Sequence, residues 1–125
     1  MEKYKLLIKR LHEMRIGCVE DSIKELKGKN TITLKGEDII IPSLCYKEYE
    51  MLKSLINTEE SLKAYSVVID NLIKEVIHTI LVMFDNGDAL ADHFIIDIID
   101  YDTKKSITEN IALHEEFMYY LNEIE

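Results

Sequence analysis

Three carboxylates and one imidazole fall within a short stretch of the last third of the chain: Asp85, Asp88, Asp92 and His93. Carboxylate oxygens are the ligands that Mg²⁺ and Ca²⁺ prefer, and a histidine nitrogen favours Zn²⁺ or Mn²⁺. The spacing departs from an EF-hand loop, because Gly87 stands where a ligand is required and Ile96 where the final Glu belongs. One interpretation is therefore a divalent-cation site. The other is a turn in which Asp85 and Asp88 bond local backbone amides while Asp92 faces water.

Two further acidic positions could carry chemistry. Asp97 interrupts an apolar run, and a buried carboxylate needs a partner because an unpaired one is costly. An active-site acid or a metal ligand fits this pattern, and so does a plain ion pair or a sheet face open to solvent. The sequence His114-Glu115 is similar to the start of a zincin helix, whose second histidine must follow four residues after the first. Met118 occupies that position, so the zinc motif fails.

The terminal segment has the residue types of a protein interface. Three aromatic residues within Phe117–Leu121 surround a helix, so at least one of them should face outward. Tyrosines are enriched at interfaces, and here they stand beside acidic residues. The residues that we predict to bind a partner are Asp85, Asp88, Asp92, Glu115, Glu116, Tyr119 and Tyr120. The alternative is one more core-packing helix.

The charge of the chain is unevenly distributed. The 125 residues have a formal net charge of −9, but residues 1–74 hold 13 basic and 12 acidic residues, or +1. Residues 75–125 hold two basic and 12 acidic residues, or −10. This imbalance argues against a nucleic-acid surface, which needs Lys and Arg to replace counterions. It favours a basic protein partner, a divalent cation or simple solubility.

Composition also suggests the cellular compartment. The start of the chain lacks the apolar core of a signal peptide, and the longest apolar run, residues 79–84, is too short to span a bilayer. Cys18 and Cys45 are expected to be reduced and partly buried. These features predict a cytoplasmic protein that does not bind membranes.

Together these patterns predict a small acidic binding module without enzymatic activity and without a cofactor. Immunity-type inhibitors of basic toxins have this size and charge, although such an analogy does not establish function. The alternative is a divalent-metal-binding protein or a small metal-dependent hydrolase that uses the Asp85–His93 cluster. A third option is a homodimer formed through the aromatic terminal helix.

Periodicity predicts the elements that must position these residues. Apolar spacings of three and four indicate a helix over residues 2–16 that stops at Gly17, a second over 20–27, and others over 44–56 and 106–123. The longest signal predicts a central core helix over 59–85, with a strand at 79–84 as the alternative. A hairpin at residues 31–41 and an interior strand at 94–101 complete a small, mostly antiparallel sheet of about three strands. The expected architecture is a single α+β domain spanning residues 1–125.

The last 45 residues or so carry a further pattern, made of Asp85-Asn-Gly, the strand-like segment after it and the helix Asn110–Leu121. This pattern resembles small bacterial proteins of unassigned function. The resemblance implies no activity, so the functional predictions depend on the residues themselves.

Overall fold

The computed structural model describes residues 2–28, 31–34, 37–40 and 44–125, with 31–34 and 37–40 described by their backbone alone. Four helices dominate it: α1 (Lys3–Leu26), α2 (Tyr46–Lys53), α3 (Glu59–Phe84) and α4 (Leu113–Ile124). A single 3₁₀ turn covers Ala89–Asp92. Between α1 and α2, β1 (Thr31–Leu34) and β2 (Glu37–Ile40) pair as an antiparallel hairpin.

The predicted α+β class, with helices packed on a sheet of about three strands, is wrong. The fold is all-α, since helices make up its framework and the hairpin strands pair only with each other within the described residues. The predicted third strand at residues 94–101 is extended chain, whose one bridge in the described part joins Ile99 to Ser106. Among the described residues, the hairpin is therefore a two-stranded sheet by itself.

The residues of this extended segment show why the prediction failed. Ile95, Ile99 and Tyr101 are 70%, 50% and 82% exposed, whereas Ile98 packs against the hydrophobic core. One side of the segment thus faces solvent despite its apolar character. An apolar run predicts burial on both sides of a strand, but exposed apolar residues are common on protein surfaces.

The chain forms two compact units, and the first comprises Met1–Met14 and Leu72–Glu125. Its core is a cluster in which α1 contributes Ile8, α3 contributes Leu81 and α4 contributes three residues. The α4 residues are Leu113, Phe117 and Leu121, which follow one another at intervals of four and so share one face of the helix. Leu113 and Phe117 are fully buried.

In the second unit, Arg15–Asn71, polar contacts join residues that are far apart in the sequence. The Arg15 side chain is only 3% exposed, and its Nε lies 3.0 Å from Oδ1 of Asp70. The Ser22 hydroxyl is within hydrogen-bond distance of two tyrosine hydroxyls, at 2.5 Å from Tyr49 and 2.7 Å from Tyr65. Burial raises the pKa of Tyr49 to about 12.

Tyr49 gives a testable pH dependence. Because its pKa in the folded protein exceeds the ordinary value of 10.0, the neutral hydroxyl stabilises the fold fully below pH 10. That contribution is lost as the pH rises toward about 12. We expect Tyr49→Phe to remove the last step of an ultraviolet tyrosinate titration. Tyr46→Phe, an exposed tyrosine on the same helix, should leave this step in place, and its disappearance in Tyr46→Phe instead would contradict the assignment.

Helix α1 differs from its prediction. It runs through Gly17 without a break, so the predicted helices over 2–16 and 20–27 are one helix of 24 residues. An internal glycine costs only about 1 kcal/mol relative to alanine, which the apolar contacts on either side can offset. The predicted stop after residue 27 is confirmed, because Gly28 adopts a φ of +73° that favours glycine.

Helix α3 begins and ends as its sequence predicts. Thr58 Oγ1 accepts a hydrogen bond from the Ser61 amide, and the Ser61 hydroxyl accepts one from the Thr58 amide, so the two residues cap the helix reciprocally. Residues 79–84 are helical, which excludes the strand alternative. Asn86 ends the helix with a φ of +61°. Its side chain then bonds both backbone groups of Ile96 and fixes the start of the extended segment.

Smaller predictions have mixed outcomes. Helix α2, Tyr46–Lys53, is shorter than the predicted helix over residues 44–56. Neither Cys18 nor Cys45 is in a disulfide, as expected, but both are exposed rather than partly buried. In the described part of the chain, no helix is both long enough and apolar enough to span a membrane.

Candidate docking groove

A surface groove of about 450 Å³ lies between the first turns of α1 and the outer side of α4. Because Leu113, Phe117 and Leu121 point into the core, the neighbouring faces of α4 are left at the surface. Both helices belong to the first compact unit. The groove is lined by Tyr4, Lys5, Ile8 and Lys9 from α1 and by Glu116, Tyr119, Tyr120 and Glu123 from α4.

The two walls of the groove carry opposite charges. Lys5 and Lys9 stand on α1, whereas Glu116 and Glu123 stand on α4. Burial raises the pKa of Tyr4, and the carboxylate of Glu116 raises it further by disfavouring a second negative charge nearby. The Tyr4 hydroxyl on α1 is therefore close enough to the acidic α4 wall to interact with its negative charge.

The tyrosines differ in how firmly they are held. Tyr120 is half-buried against the core, and its ring meets the His12 ring edge-on at a centroid distance of 5.4 Å. Tyr119 is 58% exposed and free to contact another molecule. A fixed ring beside an exposed one provides a rigid apolar anchor at low entropic cost.

Asp85, from the predicted metal and partner clusters, lies at the other end of α4. Its carboxylate accepts hydrogen bonds from the backbone amides of Leu113 at 2.9 Å and His114 at 2.8 Å. It also lies 2.6 Å from Nδ1 of His114, which donates because a carboxylate can only accept. With a side chain only 8% exposed, Asp85 caps α4 from 28 residues away.

The other members of the predicted metal cluster have separate surroundings. Asp88 caps the 3₁₀ turn by accepting a hydrogen bond from the Leu90 amide at 3.0 Å. Asp92 ends that turn, and both it and His93 are exposed. Among the described residues, no three His, Cys, Asp or Glu side chains are grouped to hold a metal ion. The divalent-cation site remains a prediction, and the hydrogen bonds of Asp85 and Asp88 to backbone amides do not support it.

The remaining acidic candidates take part in local structure. Asp97 is exposed, and it accepts hydrogen bonds from the hydroxyls of Ser106 at 2.8 Å and Thr108 at 3.4 Å. Asp100 pairs with Lys3 and also accepts two backbone amides of the following turn. The hydrogen bond from Lys3 and those two amides lower the pKa of Asp100. Asp97 is therefore an exposed carboxylate that bonds two nearby hydroxyls, and not the buried acid that its apolar surroundings in the sequence allowed.

The structure thus joins Glu116, Tyr119 and Tyr120 in one groove, while Glu115 is exposed outside its lining. Sequence reasoning missed the opposite wall formed by Tyr4, Lys5 and Lys9. The available signal was the alternation of charged and apolar residues at the start of α1, which left polar groups beside its core face. It also missed the pairing of Asp85 with His114, since nothing local in the sequence joins residues so far apart.

No family model matches this chain, and no curated protein or solved structure is similar enough to match it either.

Proposed function

We propose that this protein is a cytoplasmic, non-enzymatic binding module that holds a basic segment of a partner protein in the groove between α1 and α4. The observation that carries the proposal is the meeting of Tyr119 and Tyr120 with Glu116 and Glu123 in one groove. Tyrosine supplies contact area, and the carboxylates supply charge selectivity. An immunity-type role is one form of such a module and depends on composition alone.

The charge of the first compact unit supports a basic partner. This unit holds seven basic and 14 acidic residues, a net charge of −7, whereas the second unit holds eight and ten, or −2. A field of one sign raises the rate at which an oppositely charged molecule arrives, and salt screens that effect. The groove belongs to the unit that has the stronger field.

The lining of the groove suggests how a partner segment would be oriented. An apolar side chain of the partner would pack between Tyr4 and Tyr119, and its basic neighbours would face Glu116 and Glu123. Lys5 and Lys9 on the other wall would repel a segment that is basic on both sides. The groove therefore selects a segment with an apolar anchor and positive charge on one edge, rather than any polycation.

A calorimetric titration tests this function. The probe is a short synthetic peptide in which a phenylalanine is flanked by lysines, and its match has alanine in place of phenylalanine. At low salt we expect the phenylalanine peptide to bind more tightly than the alanine one. The double variant Glu116→Gln/Glu123→Gln should weaken binding about tenfold, since exposed ion pairs contribute up to about 1 kcal/mol each. Tyr119→Ala should weaken it more than about fivefold.

The control is Asp102→Asn/Glu109→Gln, which removes the same charge from exposed positions outside the groove. Equal weakening in this control would show that only net charge matters and would overturn the groove as the site. Binding unchanged at about 1 M salt would contradict the electrostatic part, because the Debye length there is only about 3 Å. If the phenylalanine peptide does not bind, the proposed function of holding a basic segment in this groove is contradicted.

A further inference from the structure

The long helix α3 has an apolar face that the first compact unit leaves uncovered. Leu72, Val76 and Ile80 are 54%, 58% and 42% exposed, and Phe84 at the end of the helix is 36% exposed. Their interval of four residues makes them one continuous ridge along the helix. The side of α3 that carries Leu81 packs into the core, so this helix is apolar on two sides and covered on one.

The uncovered ridge has a cavity beside it. A shallow groove of about 320 Å³ is lined by Leu72, Glu75, Val76, Thr79 and Ile80. A ridge with a groove next to it is the feature that lets two helices interlock. When the i, i+4 ridges of two helices interdigitate, their axes cross at about −50°. Because both helices then present the same ridge, α3 is complementary to a copy of itself.

The area available is close to what a dimer requires. Phe94 and Ile95, 55% and 70% exposed, follow α3 and are held near its end because Asn86 bonds the backbone of Ile96. With the four ridge residues they form six large apolar side chains that are about half exposed. Taking roughly 100–130 Å² for a whole aliphatic side chain and roughly 150–200 Å² for a whole aromatic one gives about 400 Å² of exposed apolar surface. A homodimer interface of about 800 Å² per protomer is about 65% apolar, or about 520 Å², so these six side chains would supply most of its apolar part.

Charge also favours a second copy over the basic partner proposed above. The first unit carries 14 acidic residues, yet only Glu75 among the five residues lining this groove is charged. A basic protein would find little to recognise here. Two copies would instead bring together two surfaces that each carry one charged residue in the groove. In an antiparallel pairing centred between Val76 and Ile80, the two Glu75 residues lie about 9 Å apart along the helices and do not face each other.

We infer that the exposed face of α3, centred on Val76 and Ile80, is the interface of a symmetric homodimer of this chain. A twofold interface uses the same patch on both protomers, which is the arrangement that this ridge and groove provide. The α4 helix, on which the sequence placed a homodimer contact, remains available for the groove with α1.

Light scattering with sedimentation equilibrium tests the dimer. At roughly 100 μM, above the micromolar dissociation constants of weak interfaces, we expect a mass about twice 14.6 kDa. Val76→Glu places like charges at the centre of the contact and should weaken dimerisation at least a hundredfold. The control is Val67→Glu, with the same residue type on the same helix and a matching exposure of 60%. Its position is two and a half helical turns away, on the opposite side of α3, so it should stay dimeric.

Cross-linking gives a positive test of the geometry. In a Cys18→Ser/Cys45→Ser background, a mixture of Val76→Cys and Ile80→Cys chains should form an intermolecular disulfide on mild oxidation, because the antiparallel pairing sets position 76 opposite position 80 of the other copy. A mixture of Val67→Cys and Ile80→Cys chains should not. A monomeric mass for the natural chain overturns the inference, including a monomer that binds lipid vesicles or another protein through this face. A dimer that persists in Val76→Glu, or is lost equally in Val67→Glu, also overturns it. Circular dichroism checks that each variant is folded.

Discussion

Replacing Phe117 by alanine is expected to lower the free energy of unfolding by about 4 kcal/mol. The Phe117 side chain is completely buried in the core cluster, to which α1, α3 and α4 all contribute, with Ile8 and Leu81 among its members. Truncation removes the transfer energy of the ring and leaves a cavity that neighbouring side chains fill only partly. Since small domains are stable by about 5–15 kcal/mol, this loss is a large fraction of the total.

Urea denaturation followed by circular dichroism measures this loss. The matched control is Tyr119→Ala, which truncates an aromatic residue on the same helix at a position that is 58% exposed. The control should change the stability by no more than about 0.5 kcal/mol, as is usual for surface positions. A cost below about 1 kcal/mol for Phe117→Ala would show that the core cluster does not hold α4 in place.

The helices could be predicted where their signals are local. The apolar period of α3, its cap at Thr58 and its end at Asn86 all lie within a few residues of the backbone groups that they affect. Gly17 was wrongly predicted to end a helix, because the free-energy cost of an internal glycine is small and tertiary contacts offset it. Local sequence signals therefore predict the ends of α3. They do not predict that α1 is continuous, because its continuity depends on tertiary packing.

The hairpin was predicted correctly, but the prediction of a third strand failed, for a different physical reason. A strand needs a partner strand to pair with. Among the described residues, the segment at 94–101 makes one bridge, from Ile99 to Ser106, and does not pair with the hairpin. Its apolar residues indicated burial, yet Ile95 and Tyr101 face solvent. Burial depends on which surfaces meet, and a single sequence does not contain that information. The same ambiguity led α3 to be predicted as a central helix, although one of its apolar faces is uncovered within its unit.

The candidate site was predicted in part. The tyrosines and Glu116 stand together in one short segment, so their sharing of a groove follows from helical geometry. The wall that faces them comes from the opposite end of the chain, and only the packing of α1 on α4 brings it there. Charge counts indicated an acidic surface but did not show which carboxylates are occupied by backbone amides.

The last helix was predicted to begin at residue 106, and this is wrong, because α4 begins at Leu113. Its N-cap residue, Ala112, has no side-chain oxygen to accept the first amides. Asp85 does so instead, and the Ser106 hydroxyl bonds Asp97. A tertiary cap satisfies the same orphan amides as a local one, but no local pattern reveals it.

The second large prediction follows from this cap. Asp85→Ala should destabilise the protein by about 3 kcal/mol, because it removes the cap of α4 and leaves two amides and His114 without their acceptor. The negative charge at the helix N-terminus, favoured by the helix dipole, is lost as well. Asp85→Asn keeps one oxygen and should cost less. Urea denaturation compares both with the natural chain.

Asp88→Ala is the matched control, since Asp88 also caps a helical turn but is exposed and accepts one amide. It should cost no more than about 1 kcal/mol. If Asp85 were a cation ligand, Asp85→Ala would relieve repulsion between carboxylates in the metal-free protein and raise its stability. A stabilised Asp85→Ala variant would therefore contradict the cap and support the cation site. A destabilised variant would show that Asp85, the most buried acid of the predicted metal cluster, caps α4 and so stabilises the packing of this helix on the core.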